Sequence, residues 1–349
     1  MTIPAILSVA SAVPDNRYEQ MDLYRQMSHI YTHRYASQIF GAMGIETRYS
    51  VISDPAWHTD NPSTKVRNDL YLETAPPLAI KVIQKVLDRA DLRITDIDNF
   101  TYVTCTGLDT PSMDIIIAEK MDMPYTIHRA TMTSMGCHAV LTALRQAHMT
   151  VLARPKTKAL IVGLELCTIH SQNALTVKSM IGSALFSDGA SAVIVGDGAS
   201  DSYDDSIALI DSLSYSDYKN QHAMSFHPSD TGYAFHLSNQ VPKIIRNTMP
   251  SLVSTILDRN GMIMNDIHHW MVHPGGMKIV DFVEEELGFK SGKLDCSRAI
   301  LREYGNMSSA TIMFVLERLL DETQPLQGDY GMLISFGPGL TIEIYLLQW

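Results

Sequence analysis

Residues 135–154 read MGCHAVLTALRQAHMTVLAR. Ala139, Val140, Ala143, Leu144 and Ala147 fall on one stripe at helical spacing, which predicts a helix opening just after Cys137. Upstream, residues 99–107 (NFTYVTCTG) predict a buried strand that ends near Cys105, 32 positions before Cys137. Downstream, residues 158–166 (KALIVGLEL) and 189–197 (GASAVIVGD) predict two more apolar strands. The second half repeats this order. Residues 268–276 (HHWMVHPGG) predict a strand ending at His273, and Asn306 follows 33 positions later at the start of a predicted helix in residues 304–320 (YGNMSSATIMFVLERLL). Strands in residues 330–339 (YGMLISFGPG) and 340–349 (LTIEIYLLQW) complete it. The sequence strand, long excursion, helix start, strand thus occurs twice. It predicts an internally duplicated α/β unit, with an N-terminal half over 1–200 and a C-terminal half over 201–349, divided near residues 197–206 (DGASDSYDDS). Any α/β chain produces some coincidence of this kind, so the reading rests on the order of elements and not on shared letters.

Composition narrows the class. The chain has 349 residues, 46% of them hydrophobic and 19% charged, which suits a globular enzyme and excludes disorder. The net charge of −11 excludes a whole-chain basic footprint for nucleic acid. No apolar run approaches the roughly 18 residues of a spanning helix. The opening residues MTIPAILSVASAVP lack a basic start and predict a first strand, not a signal peptide. Cys105, Cys137, Cys167 and Cys296 form no CxxC pair, so neither a disulfide framework nor a thiolate metal site is expected. A cytoplasmic, reduced protein is the expectation. Residues 214–232 are polar and read as a surface excursion, a lid or a pocket wall.

Three residues suggest chemistry. A free cysteine is most often an inert buried residue. At a helix start, however, backbone N–H groups favour a thiolate, a good nucleophile toward an acyl thioester, and Gly136 leaves room for a sharp bend. His273 closes a buried strand, and Pro274, Gly275 and Gly276 end that strand at once and open space for a ligand. Asn306, Ser308 and Ser309 crowd one turn with more capping-type residues than a helix start uses. In residues 335–340 (SFGPGL), Gly337, Pro338 and Gly339 force a tight loop between two apolar strands, with backbone N–H groups suited to an oxyanion.

Taken together, the stretches MGCHA (135–139), ALFSDGASAVIVG (184–196), WMVHPGG (270–276), YGNMSSA (304–310) and FGPGLTIE (336–343) resemble the type III polyketide synthases, the chalcone synthase-like branch of the thiolase superfamily. They span roughly residues 95–349 in order, and GIETRY (44–49) extends the match upstream. The resemblance implies a five-layer αβαβα fold of two similar halves, a homodimer, and chemistry that needs no metal or organic cofactor. It implies Cys137 as the acyl-carrying nucleophile, held as thiolate by His273, with His273 and Asn306 polarising a malonyl thioester for decarboxylation. Phe186 and Phe235 match the two aromatic residues where the family's nucleophile pocket meets its CoA tunnel. Cys105, Thr110, Cys167 and His170 become candidates for the cavity wall, with Thr110 at the position that reaches across the dimer.

The fit within the family is to bacterial members. GCHAVL (136–141) departs from the plant pattern, and the tail, residues 328–349, resembles the 3,5-dihydroxyphenylacetyl-CoA synthases, which build everything from malonyl-CoA. One departure stands out: where plant members carry several basic residues for the CoA phosphates, residues 35–49 offer only Arg48, with Arg34 upstream. CoA would then be held by other residues, bound weakly, or replaced by an acyl carrier protein; a carrier could dock on a basic patch at Arg145, Arg154, Lys156 and Lys158, a segment that reads equally as an ordinary solvated face. Two other readings stay open from the residues alone: a single-round condensing enzyme like β-ketoacyl synthase III, and a catalytically inactive scaffold.

Overall fold

The computed structural model describes residues 2–54, 56–173, 176–199 and 206–349. Residues 200–205, inside the expected seam between the halves, lie outside the described residues. In chain order the strands are β1 (Pro4–Ala12), β2 (Asn16–Glu19), β3 (Thr47–Ser50), β4 (Asn99–Thr104), β5 (His128–Thr133), β6 (Ala159–Leu166), β7 (Asp188–Asp197), β8 (Ile207–Ser216), β9 (Met224–Ser229), β10 (Gly232–Leu237), β11 (Ile267–Val272), β12 (Tyr330–Gly337) and β13 (Thr341–Gln348). Nine of them form one mixed sheet in the order β11-β12-β13-β8-β1-β7-β6-β4-β5.

That order contains the same pattern twice. From the centre outward, β1 pairs antiparallel with β7, β7 antiparallel with β6, and β6 parallel with β4. On the other side β8 pairs antiparallel with β13, β13 antiparallel with β12, and β12 parallel with β11. The N-terminal side adds one further parallel strand, β5. Among the described residues, the two sides of the sheet join through Ala5↔Ala208 and Ile6↔Ile207, on β1 and β8.

Three apolar cores explain the layering. The helix Ala139–Ala153 and the helix Thr311–Thr323 sit in the middle, in a core that also takes side chains from β1, β4, β6, β7, β8, β11, β12 and β13. The long helix Thr64–Arg89 covers the outer face of the N-terminal strands. The helix Val241–Arg259 covers the outer face of the C-terminal strands together with Met277–Glu286. Helix, sheet, helix, sheet, helix is the five-layer αβαβα arrangement. The middle helices face sheet on both sides, so Leu141 and Thr142 are buried along with the predicted stripe of Ala139, Val140, Ala143, Leu144 and Ala147. A fully buried leucine is stabilised by about 1.5–3 kcal/mol relative to exposure.

Glu343 on β13 is one of the charged side chains buried in this interior. Its carboxylate accepts from Thr142 (3.1 Å), Arg145 (2.8 Å) and Ser214 (2.9 Å), which compensates its burial and ties the middle helix to the C-terminal strands. Arg145 is therefore spent on an internal ion pair and is not free for the basic patch suggested by the sequence.

The excursion after β8 folds into a short 3-10 segment, Tyr218–Ala223, and a separate hairpin of β9 and β10. A two-residue loop, Asp230 and Thr231, closes the hairpin and sets Phe226 opposite Phe235. Among the described residues, no helix is long and apolar enough to cross a membrane.

Candidate active site

Each half contributes its strand end and its helix start to one place. Cys137 lies in the 3-10 turn Gly136–His138 that leads into the helix Ala139–Ala153. Gly136 takes φ +74°, and a Cβ there would come within 2.6 Å of Pro338 Cδ. A Cβ on Gly337 would come within 3.1 Å of the Cys137 backbone nitrogen. The Gly337-Pro338-Gly339 loop thus presses directly on the turn that carries the thiol, and only glycines permit the approach. Ser335 adds a hydrogen bond from its hydroxyl to the Cys137 carbonyl at 2.9 Å.

Asn306 comes from the other half. Its backbone is bridged to Phe186: its N–H donates to Leu185 O at 3.0 Å and its carbonyl accepts from Ser187 N at 2.9 Å. The side-chain Oδ1 accepts from Ser308 N at 2.8 Å and from the Thr311 hydroxyl at 3.4 Å. The acceptor end of the amide therefore caps the following turn, and the NH₂ end is what Asn306 can present to a ligand. Capping and presentation are both served by one residue.

His273 follows the last residue of β11, with its N–H on Ile334 O at 2.8 Å. It is fully buried, packs edge-on against Phe336 with centroids 6.0 Å apart, and neither ring nitrogen has a partner among the described residues. Burial, helped by nearby His138, pulls its pKa down to about 3, so the imidazole is neutral. Burial also pushes the Cys137 thiol up to about 12, opposed by its contact to Ser308 and by its own backbone N–H. This differs from the thiolate expected from the helix start. The helix N-terminus does act in the expected direction, but the dry wall costs the charged form more.

Cys137, His273 and Asn306 line one cavity of about 370 Å³ with Phe186, Phe235 and Gly275. Two further cavities adjoin it. One, of about 310 Å³, is bounded by Cys105, Gly136, Tyr233, Pro338 and Gly339. The other, of about 270 Å³, is bounded by Cys167, His170, Phe186, Tyr233 and Phe235. Such a constellation provides a nucleophile, two neutral hydrogen-bond donors and space for a growing chain.

The sequence matches the chalcone and stilbene synthases, N-terminal domain, over residues 5–199, and the chalcone and stilbene synthases, C-terminal domain, over residues 218–349. The chain belongs to this family, the type III polyketide synthases. Among its relatives, 1,3,6,8-tetrahydroxynaphthalene synthase of Streptomyces coelicolor is 34% identical over 88% of this chain and 80% of that protein. The 3,5-dihydroxyphenylacetyl-CoA synthase of Streptomyces toyocaensis is 28% identical over 99% of this chain and 90% of that protein. The fold superposes on the crystal structure of the S. coelicolor tetrahydroxynaphthalene synthase with a TM-score of 0.92 at 30% identity, covering 99% of both chains. It superposes on PKS-I of the brown alga Ectocarpus siliculosus with a TM-score of 0.93 at 25% identity, covering 100% of this chain and 98% of that one.

In this type III polyketide synthase the wall residues sort as follows. Cys105 ends up across the Ser308 hydroxyl from Cys137, with both sulfurs 3.5 Å from that oxygen. Ser308 holds a left-handed backbone, φ 48°, to sit there. Glu165, fully buried, braces this region from β6, accepting from Cys105 N (2.9 Å), Thr106 Oγ1 (2.8 Å) and Ser309 Oγ (2.5 Å). His170 is stacked on Tyr233 at 4.2 Å, with its ring bound to Thr106 O at 2.7 Å, and burial keeps it neutral with a pKa near 4. Thr110 is different: it is exposed and lines none of these three cavities, because its loop carries it outward from the end of β4.

Phe226 escaped the sequence reading. It borders all three cavities and forms a triad with Phe186 and Phe235, with centroids 5.7 and 5.0 Å away. The signal was present as two aromatics placed symmetrically about the Asp230-Thr231 turn. Arg48 also departs from expectation. It is buried and donates to the carbonyls of Ser183 and, at 2.9 Å, Phe186, so it cannot meet a CoA phosphate. The basic groups at the cavity mouth are Lys278, which lines it, and exposed Arg34, whose guanidinium lies 4.5 Å over the ring of the mouth residue Tyr35.

Proposed function

We propose that this polyketide synthase loads an acyl group on Cys137 and extends it through repeated decarboxylative condensation with malonyl-CoA, then cyclises the chain. The observation that carries this reading is the convergence of Cys137, His273 and Asn306, drawn from two halves, on one cavity with two side chambers. At loading, neutral His273 accepts the thiol proton as Sγ attacks the thioester carbonyl, then passes it to the departing CoA sulfur, so that CoA leaves as the free thiol and His273 is neutral again. At extension, loss of CO₂ from the malonyl thioester leaves an enolate. Its oxygen is met by two neutral donors, the His273 N–H and the Asn306 NH₂. The enolate carbon attacks the Cys137 thioester and the Cys137 sulfur departs, which leaves the lengthened chain as a CoA thioester; attack of that sulfur on the new thioester then returns the chain to Cys137 and releases CoA. The three cavities offer room for several such rounds, which favours iteration over a single condensation.

Malonyl-CoA alone is proposed as sufficient substrate, on the strength of the relatives named 1,3,6,8-tetrahydroxynaphthalene synthase and 3,5-dihydroxyphenylacetyl-CoA synthase. Incubation of the purified protein with malonyl-CoA, followed by mass spectrometry, tests it. A cyclised all-malonyl product supports the reading. Its absence, with turnover restored by an acyl-CoA or an acyl carrier protein thioester, replaces the starter assignment. Turnover by Cys137→Ala would overturn the mechanism itself.

A further inference from the structure

Behind Phe186, away from the thiol, lies a second polar pocket. It is small, about 20 Å³, and its walls include Tyr31, Arg48, His58 and Ser183. These four side chains are buried, between 3% and 6% exposed. Arg48 Nε, His58 Nδ1 and Ser183 Oγ have no hydrogen-bond partner among the described residues. Burial raises the Tyr31 phenol above its usual pKa, and its approach to Ser183 opposes that shift, but Ser183 Oγ keeps no well-formed hydrogen bond.

The charge there is unbalanced. Arg48 spends one nitrogen on two backbone carbonyls and forms no ion pair within 4 Å among the described residues. Arg67, on the other side of His58, likewise donates to Pro62 O, Ile169 O, Ser171 O and Asn61 Oδ1, and to no carboxylate. Both guanidinium groups act on His58 as positive charges. The one carboxylate that acts on Arg48, Asp188, is committed elsewhere, to Val51 N at 2.9 Å and to Thr168 N and Oγ1 at 2.8 and 2.6 Å. Buried donors without partners beside uncompensated cations are costly, and an acceptor carrying negative charge relieves both costs at once.

We propose that the pocket between Arg48, His58 and Ser183 is a binding site for a small monovalent anion of halide size. Its volume admits one guest of about the size of a water molecule and excludes phosphate or a carboxylic acid. Arg48 Nε–H and Ser183 O–H donate to the anion, and His58 donates through Nδ1 in that tautomer. The anion would fix the guanidinium that holds the carbonyls of Ser183 and Phe186, and so the end of the helix Val177–Leu185 that carries the aromatic gate.

Bromide is the probe. Crystals grown in sodium bromide are expected to show an anomalous scattering peak within hydrogen-bonding distance of Arg48 Nε. In solution, chloride and bromide are expected to raise Tm saturably by at least about 2 °C over sodium gluconate at equal ionic strength. His58→Phe, which fills the pocket and leaves Arg48 in place, is expected to abolish that halide-specific rise. Ser183→Ala is expected to weaken halide binding severalfold and serves if His58→Phe does not fold. A peak with no anomalous signal, together with Tm values that follow ionic strength alone, would show the guest to be water and overturn the proposal.

Discussion

Phe226 and Phe235 face each other across the β9–β10 hairpin with ring centroids 5.0 Å apart, and Phe186 closes the triad edge-on to Phe235 at 5.0 Å. Phe226 alone of the three borders every chamber of the site. Its ring is thus a wall common to the space beside Cys137 and the two side chambers. Phe226→Ala should merge them and shift the product distribution toward longer or differently cyclised chains, with malonyl-CoA consumption kept within about threefold because no donor to the enolate is touched. Product masses from wild type and variant decide it. An unchanged distribution would mean that chain length is set elsewhere.

Asn306 offers its NH₂ to the cavity because its Oδ1 is committed to Ser308 N and Thr311 Oγ1. Asn306→Asp keeps the cap and replaces the donor with a second acceptor. Loss of one oxyanion donor costs roughly 10²–10³ in rate. Decarboxylation of malonyl-CoA should fall by at least that factor while acyl loading on Cys137 persists. Intact-protein mass spectrometry reads loading, and CO₂ release reads decarboxylation. Equal loss of both would assign Asn306 to folding, not to the enolate.

The raised pKa of Cys137 makes a prediction about reactivity. At neutral pH the free protein should hold Cys137 almost entirely as thiol. Iodoacetamide alkylation of Cys137 should therefore accelerate with every step from pH 7 to pH 10 without a plateau. A plateau reached by pH 7 would show a preformed thiolate–imidazolium pair with His273.

Buried histidines set the acid limit. His273 is held neutral down to about pH 3, and His58, His138 and His170 down to about pH 4, in each case mainly by burial. In the unfolded chain the same histidines take up protons near pH 6.5. Between those values the unfolded state binds more protons, so stability is lost as pH falls from about 6.5. Asp188, raised to about 6, and Glu165 and Glu343, raised by burial, oppose this because the folded state protonates them first. Each net proton is worth about 1.4 kcal/mol per pH unit. The urea midpoint should therefore drop between pH 7 and pH 6, where proton uptake by four histidines in the unfolded chain outweighs the partial protonation of Asp188 in the folded one. A midpoint that stays flat or rises over that unit contradicts the account.

Much of this was legible in the sequence, for identifiable reasons. Strand ends at Cys105 and His273 and helix starts after Cys137 and Asn306 are local events; their repeated order predicted a duplicated α/β unit, and the family resemblance supplied the five αβαβα layers. What sequence reading missed is set by distance. That Arg48 is buried behind Phe186 depends on a helix 135 positions away. That Phe226 borders three cavities depends on where its hairpin packs. The thiol's protonation reflects the sum of a helix start, which is local, and a dry wall, which is not.

The contact between Gly337 and the Cys137 turn gives the sharpest structural test. A Cβ on Gly337 would lie 2.9 Å from His138 Cδ2 and 3.1 Å from Cys137 N, while Gly339 combines a left-handed φ of 77° with open space, nearest atom 3.7 Å. Gly337→Ala must push the backbone of the nucleophile turn, whereas Gly339→Ala strains only its own φ, by about 1 kcal/mol. Both should lower Tm by a few degrees. Only Gly337→Ala should also cut Cys137 loading by tenfold or more, since a shift of about 1 Å at a reacting group costs on the order of 10²-fold. Loading that falls equally in the two variants would show that the loop supports the fold without setting the position of the thiol.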